Sequence, residues 1–147
     1  MQYGDIILFK PTTFMGKLIS FIDGSPYSHI GVFVEYKNGV PLFIESHEKK
    51  GGVVITRLQE WQNYTVKRPL VKPRAKKEVL SKLGTRYDNS MLWWIFKAKI
   101  FKSMEYNNDD TSLICSEFAD YIFHYKVGNG YVATPKTFAD STLFVTI

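Results

Sequence analysis

The chain holds one cysteine, Cys115, and three histidines, His29, His47 and His124. Cys115 lies in Leu113-Ile114-Cys115-Ser116-Glu117-Phe118-Ala119-Asp120-Tyr121-Ile122, an apolar run at helical spacing that follows the polar stretch Asn107 to Ser112. Asp109, Asp110, Thr111 and Ser112 are all acceptable N-caps, so a helix is expected to begin near them, with Cys115 in its first turn. Backbone N–H groups there have no intrahelical partner. The positive end of the helix dipole favours a thiolate over a thiol, and the same N–H groups can receive a developing oxyanion. That chemistry is nucleophilic attack on a carbonyl. The plainer reading is that Cys115 shares an apolar face with Ile114, Phe118, Ala119 and Ile122 and is a small buried hydrophobe, as free cysteines usually are. A basic partner elsewhere in the chain decides between the two.

His29 is the candidate base. It opens Ser28-His29-Ile30-Gly31-Val32-Phe33-Val34-Glu35-Tyr36, which is rich in β-branched and aromatic residues and reads as a strand. Alternation puts His29, Gly31, Phe33 and Glu35 on one face, with Gly31 leaving space beside the imidazole. A carboxylate that accepts the N–H of the far ring nitrogen would fix the tautomer and orientation. Glu45, on the returning strand Pro41 to Ser46, is the candidate for that role, with Glu48 and His47 as rivals. Register matters here. A two-residue Asn38-Gly39 turn pairs Val32 with Glu45 and puts the carboxylate on the wrong face. A three-residue loop with a bulge puts Glu45 opposite Phe33, on the His29 face. Ser28, beside the histidine, is a candidate substrate-binding residue. Cys115 with His29, His47 and His124 lacks the close spacing of a metal site, and neither a metal nor a cofactor is expected.

The elements that must position these groups follow from the pattern. Asp5 to Phe9 reads as a strand ended by Pro11, and Thr12 or Thr13 can cap a helix from Phe14 to Ile22. The hairpin through Asn38-Gly39, a Gly51-Gly52 turn, a strand Val53 to Thr56, a helical turn Leu58 to Trp61 and a strand Tyr64 to Arg68 complete an antiparallel first half. Helices are expected from Pro73 to Leu83 with Gly84 as C-cap, from Met91 to Lys102, and from the Cys115 region to about Lys126, with a last segment starting at Thr134-Pro135. Strands followed by helices imply an α+β domain, one domain over residues 1–147.

Composition is that of a globular protein: 147 residues, 45% hydrophobic, 22% charged. One cysteine excludes an internal disulfide. No basic and apolar leader opens the chain and no apolar run reaches ~18–20 residues, so cytoplasmic residence is the default expectation. The net charge is +5, much of it between Lys67 and Lys102. A basic surface suits a membrane, a wall polymer or nucleic acid, but no zinc-finger spacing or RNA-binding signature accompanies it, and nucleic acid is not the expected partner.

Five short motifs occur in order: Gly4-Asp5; Ser28-His29-Ile30-Gly31-Val32; Phe43-Ile44-Glu45-Ser46; Leu83-Gly84-Thr85-Arg86-Tyr87-Asp88; and Ile114-Cys115-Ser116-Glu117-Phe118. In this order the chain resembles the circularly permuted branch of the NlpC/P60 cysteine hydrolases, whose ordinary members carry the cysteine helix before the histidine strand. The resemblance spans Tyr3 to about Pro135. It implies a papain-like α+β fold, a nucleophile helix packed on an antiparallel sheet that bears the base. It implies Cys115 as nucleophile, His29 as base, Glu45 as the orienting residue, and Tyr87 beside the cysteine, shaping the substrate or oxyanion site. Arg86 and Asp88 depart from the ordinary family's Pro-Tyr-x-Trp-Gly-Gly pattern, so the substrate pocket does not carry over with the dyad.

Three readings follow. The first is a cysteine hydrolase that cleaves an amide, with a cell-wall peptide as the leading substrate. The second keeps the dyad and turns it on acyl lipids, with Met91-Leu92-Trp93-Trp94-Ile95-Phe96 and the lysines after it as a peripheral membrane contact. The third is a binding module that keeps the shell without the reaction, which the presence of all three catalytic residue types opposes.

Overall fold

The computed structural model describes residues 1–59, 62–88 and 112–147. The expected Met91 to Lys102 helix with its lipid-facing role, the caps at Asp109, Asp110 and Thr111, and the end of the Leu58 to Trp61 turn lie outside these residues. The architecture is mixed α+β. Strands β1 (Ile6–Phe9), β2 (His29–Lys37), β3 (Val40–His47), β4 (Gly52–Arg57), β5 (Tyr64–Pro69) and β6 (Phe144–Thr146) form one sheet in the order β4-β3-β2-β1-β5-β6, with every neighbour pair antiparallel. Among the described residues four helices accompany it: α1 (Phe14–Asp23), α2 (Lys76–Leu80), α3 (Cys115–Ile122) and α4 (Pro135–Asp140). None of the described helices is long and apolar enough to cross a membrane.

The sheet separates two apolar clusters. Ile6, Leu8, Ile30, Val32 and Ile44 point to one side, where α3 covers β2 and β3 with Phe118, Ala119 and Ile122. Ile7, Phe9, Phe33, Phe43 and Leu58 form a smaller cluster on the other. Period-2 alternation along β1 sorts its residues between the two.

The β2–β3 hairpin closes through Asn38 and Gly39, both left-handed at φ 51° and 78°, and Lys37 pairs directly with Val40. This is the two-residue turn. The bulge lies inside the strand instead: the register shifts between Phe33 and Glu35, so that Phe33 pairs with Phe43 and Val32 with Ile44. Glu45 thus shares the face of Phe33 and His29, as a bulge requires, but Phe43 and not Glu45 stands opposite Phe33. The space beside Gly31 is also filled, since a Cβ there would come within 2.4 Å of the Phe43 ring.

Two helices, α2 and α3, depart from their expected bounds. α2 spans only Lys76–Leu80, and its C-cap is Ser81; Gly84 lies beyond, with its N–H bonded to Val53 O. α3 ends at Ile122 because His124 and Tyr125 both adopt positive φ, and buried Asp120 folds the chain back by accepting the N–H groups of Val127 and Gly128. Its start is also later, at Cys115, because Ile114 is extended and Leu113 is docked: the Leu113 N–H bonds to Arg86 O and its carbonyl accepts the Ser46 hydroxyl at 2.5 Å.

Gly52 carries the loop that ends near Tyr87. Its φ is +151°, and a Cβ would lie 2.0 Å from Thr85 O, while Tyr87 N bonds to Gly51 O. Gly52→Ala should therefore cost about 2 kcal/mol or more, from strain and the displaced 84–88 loop. A lower urea midpoint at unchanged m-value checks this.

Candidate active site

Cys115 is the first residue of α3, 8% exposed, and lies on the wall of a cleft of about 400 Å³. Its N-cap, Ile114, has no side-chain acceptor. Glu117 compensates by accepting the Ile114 N–H with Oε2 at 3.1 Å, half of a capping box. The first intrahelical bond runs from Phe118 N to Ile114 O, so the N–H groups of Cys115, Ser116 and Glu117 precede the ladder at the positive end of the helix. Burial, with the charges of Asp88 and Asp120 and against the Ile114 N–H, pushes the Glu117 carboxyl up to about 7.

His29 reaches the same cleft from the start of β2. Its Nε2 is 2.5 Å from Glu45 Oε2, which leaves Nδ1 as the nitrogen available to the Cys115 thiol. The ring lies between Phe9 and His47, with centroids 5.7 and 5.5 Å away. Burial alone would drive the proton off. The charge and hydrogen bond of Cys115, then the hydrogen bond and charge of Glu45, overcome this and raise the imidazole from 6.5 to about 10.

Glu45 is 2% exposed, and both its oxygens are engaged. Oε1 accepts the Thr56 hydroxyl at 2.6 Å and the Lys50 ammonium at 2.9 Å, and Lys50 also donates to Thr56 at 2.6 Å. Burial opposes ionisation, but the bond and charge of His29, with Thr56 and Lys50, bring the carboxyl down to about 2. Of the rivals, Glu48 opens an exposed 3₁₀ turn, Glu48–Lys50, and His47 faces the His29 ring edge-on without meeting its Nε2. Burial pushes the His47 imidazole down, and its buried Nδ1 has no hydrogen-bond partner.

Tyr87 and Ser28 both line the cleft. Burial, then the charge of Cys115, pushes the Tyr87 phenol well up, so its O–H stays protonated. Four supports of the site were not anticipated. Ser46 and the Arg86 carbonyl anchor Leu113, and Lys50 and Thr56 hold Glu45. The Thr56 contact was within reach of pattern reasoning, because a Gly51-Gly52 turn sets the β3–β4 register, in which Glu45 pairs with Val54 and stands diagonal to Thr56. Nothing in the sequence signals Lys50, whose reach depends on the 3₁₀ turn.

No family model matches the sequence, and no curated protein does. A solved structure does match: the metalloprotein YiiX from Escherichia coli O157:H7, of DUF1105, with a TM-score of 0.64 at 20% identity, covering 99% of this chain and 96% of that one. The chain has a YiiX-like fold. At that identity the likeness to YiiX extends to architecture alone.

The His29–Glu45 pair makes stability depend on pH in both directions. His29 is raised in the folded state, so its contribution is complete below pH 6.5 and is lost as pH rises to about 10. Glu45 is lowered, so its contribution is complete above pH 4.5 and is lost as pH falls to about 2. Imidazole NMR should find His29 protonated through neutral pH. Glu45→Gln should lower its titration midpoint, and Thr56→Val should lower it less. A His29 midpoint near 6.5 in the unsubstituted protein contradicts the pairing.

Proposed function

We propose that this protein is a papain-like cysteine hydrolase of the permuted NlpC/P60 type, which cleaves an amide through an acyl-Cys115 intermediate. The observation that carries this reading is the 2.5 Å contact between His29 Nε2 and Glu45 Oε2 on the cleft into which the N-terminal residue of α3, Cys115, also opens. His29 holds the proton it has drawn from the thiol, and the Cys115 sulfur attacks the carbonyl carbon. The oxyanion that forms is received by the N–H groups of the first turn of α3 and by the Tyr87 O–H, each good donor supplying ~3–4 kcal/mol. His29 then gives its proton to the departing amine, the C–N bond breaks, and water, deprotonated by His29, releases the acid from the thioester. Glu45 holds the imidazolium until it gives up that proton.

The proton on His29 supports an amide as the scissile bond. An amine leaves poorly unless protonated, whereas thiols and many alcohols leave more easily. The leading substrate is an amide in a cell-wall peptide. A second reading, hydrolysis or transfer of a lipid acyl group by the same dyad, is favoured by the apolar cleft wall of Met15, Leu18, Ile19 and Ile22. YiiX is described as a metalloprotein. Among the described residues of this chain no group of three or more His, Cys, Asp or Glu side chains is disposed to hold a metal ion, so these residues do not fit one.

The test is incubation with muropeptides and, separately, with acyl lipids and acyl thioesters. Mass spectrometry should find an acyl adduct on Cys115 and a released amine with the first set. His29→Ala and Cys115→Ala should each lower turnover by at least about a thousandfold. Turnover of the lipid set alone, lost in Cys115→Ala, replaces the amide reading with the acyl-lipid one. Turnover that survives Cys115→Ala overturns both.

A further inference from the structure

α1 is packed inside out. At 100° per residue its ten positions divide into a small and polar face, Gly16, Ser20 and Asp23, and a remainder that is apolar except for Lys17. The polar face is the one turned to the protein. Asp23 is buried and accepts the Lys136 N–H at 2.9 Å. Ser20 donates to Ser25 O, and a Cβ on Gly16 would lie 3.2 Å from Ser28 Oγ. The opposite face is open: Phe14 is 83% exposed, Phe21 84% and Met15 52%. Phe14 and Phe21, seven residues apart, stand on one stripe with Lys17 beside them. A surface helix ordinarily turns its polar face to water, and one that does the reverse needs an apolar phase on its outer side.

We propose that α1 is an interfacial helix that seats the mouth of the Cys115 cleft on an anionic phospholipid bilayer. Charge selects the occupant. Lys17 lies on the exposed stripe and Lys10 and Lys49 on the cleft rim, all exposed, against one exposed carboxylate in the lining, Glu48. A second copy of the chain would bring Lys17 against Lys17 with no acid on either stripe. A protein partner needs polar groups to set its register, and this stripe offers only the one ammonium. A bilayer needs none: aromatic side chains enter the acyl boundary while lysines reach the headgroups. At 1.5 Å per residue α1 is about 15 Å long, too short to span and suited to lie in the interface. The other flank of the helix, Met15, Leu18, Ile19 and Ile22, lines the cleft, so the bound surface and the Cys115 chamber share one wall. The proposal does not depend on the hydrolase reading, because binding is measured without turnover.

The experiment is co-sedimentation of the full chain with phosphatidylcholine vesicles, with and without phosphatidylserine. Binding should be stronger with phosphatidylserine and weaker at high salt. The double variant Phe14→Ser, Phe21→Ser should lose affinity by roughly a hundredfold, with circular dichroism and the His29 titration unchanged. Backbone hydrogen exchange of the unsubstituted protein gives a readout that needs no variant, and residues 14–23 should be protected by phosphatidylserine vesicles. Absence of vesicle binding overturns the proposal, as does exchange protection that spares 14–23. Binding unchanged in the double variant overturns it in favour of another segment, such as residues 91–102. Dimerisation in light scattering that the double variant abolishes, without vesicle binding, assigns the face to a second copy instead.

Discussion

A buried carboxylate without compensation costs several kcal/mol, and in practice such a group takes up a proton instead. Glu45 is 2% exposed, yet its carboxyl is drawn down to about 2. The difference is made by three donors from three separate elements: His29 at the start of β2, Lys50 in the 3₁₀ turn after β3, and Thr56 in β4. Each constrains the others. Thr56 and Lys50 occupy Oε1, which directs Oε2 to His29. Loss of the sheet register at any of the three strands would leave a charge buried without its partners, which is far costlier than losing a surface ion pair.

That arrangement rests in turn on one irregularity. The Asn38-Gly39 turn alone would point Glu45 away from His29. The bulge between Phe33 and Glu35 restores the face, and Phe43 then fills the space that Gly31 leaves. On the other side of the cleft the same economy of parts holds Cys115. Ser46, the residue after Glu45, points to the opposite face and binds the Leu113 carbonyl, so adjacent β3 residues support the carboxylate and the lead-in to the cysteine. Arg86 binds the Leu113 N–H from the loop that carries Tyr87, and Gly52 permits that loop to approach.

The Cys115 cleft and α1 are coupled by geometry as well. A helix that faces the protein with Gly16, Ser20 and Asp23 has little apolar burial to hold it, and its attachment is polar: the Thr13 cap, the Ser20 bond and the Asp23 link to α4. Its apolar residues are left for the cleft and for the outside. The chamber wall is therefore formed by an element whose apolar surface the described fold does not consume.

Local signals in the chain were sufficient for what depends on local physics. The β1 to β5 strands follow from alternation and β-branched residues, the hairpin from Asn38-Gly39, and the start of α1 from Thr12 or Thr13, of which Thr13 is the cap. The α+β class follows from strands preceding helices, and Cys115, His29, Glu45, Tyr87 and Ser28 could be named from residue type and motif order, with Glu48 and His47 left as rivals of Glu45. Only the tertiary structure decided which of these groups meet. A bulge at Val34, the early end of α3 at two left-handed residues, and the delayed start at Cys115 are set by pairing with distant strands, and no short stretch encodes them. The Lys50 and Thr56 contacts and the inverted face of α1 belong to the same class, because burial and hydrogen bonding are properties of neighbours that the chain brings together from far apart in sequence.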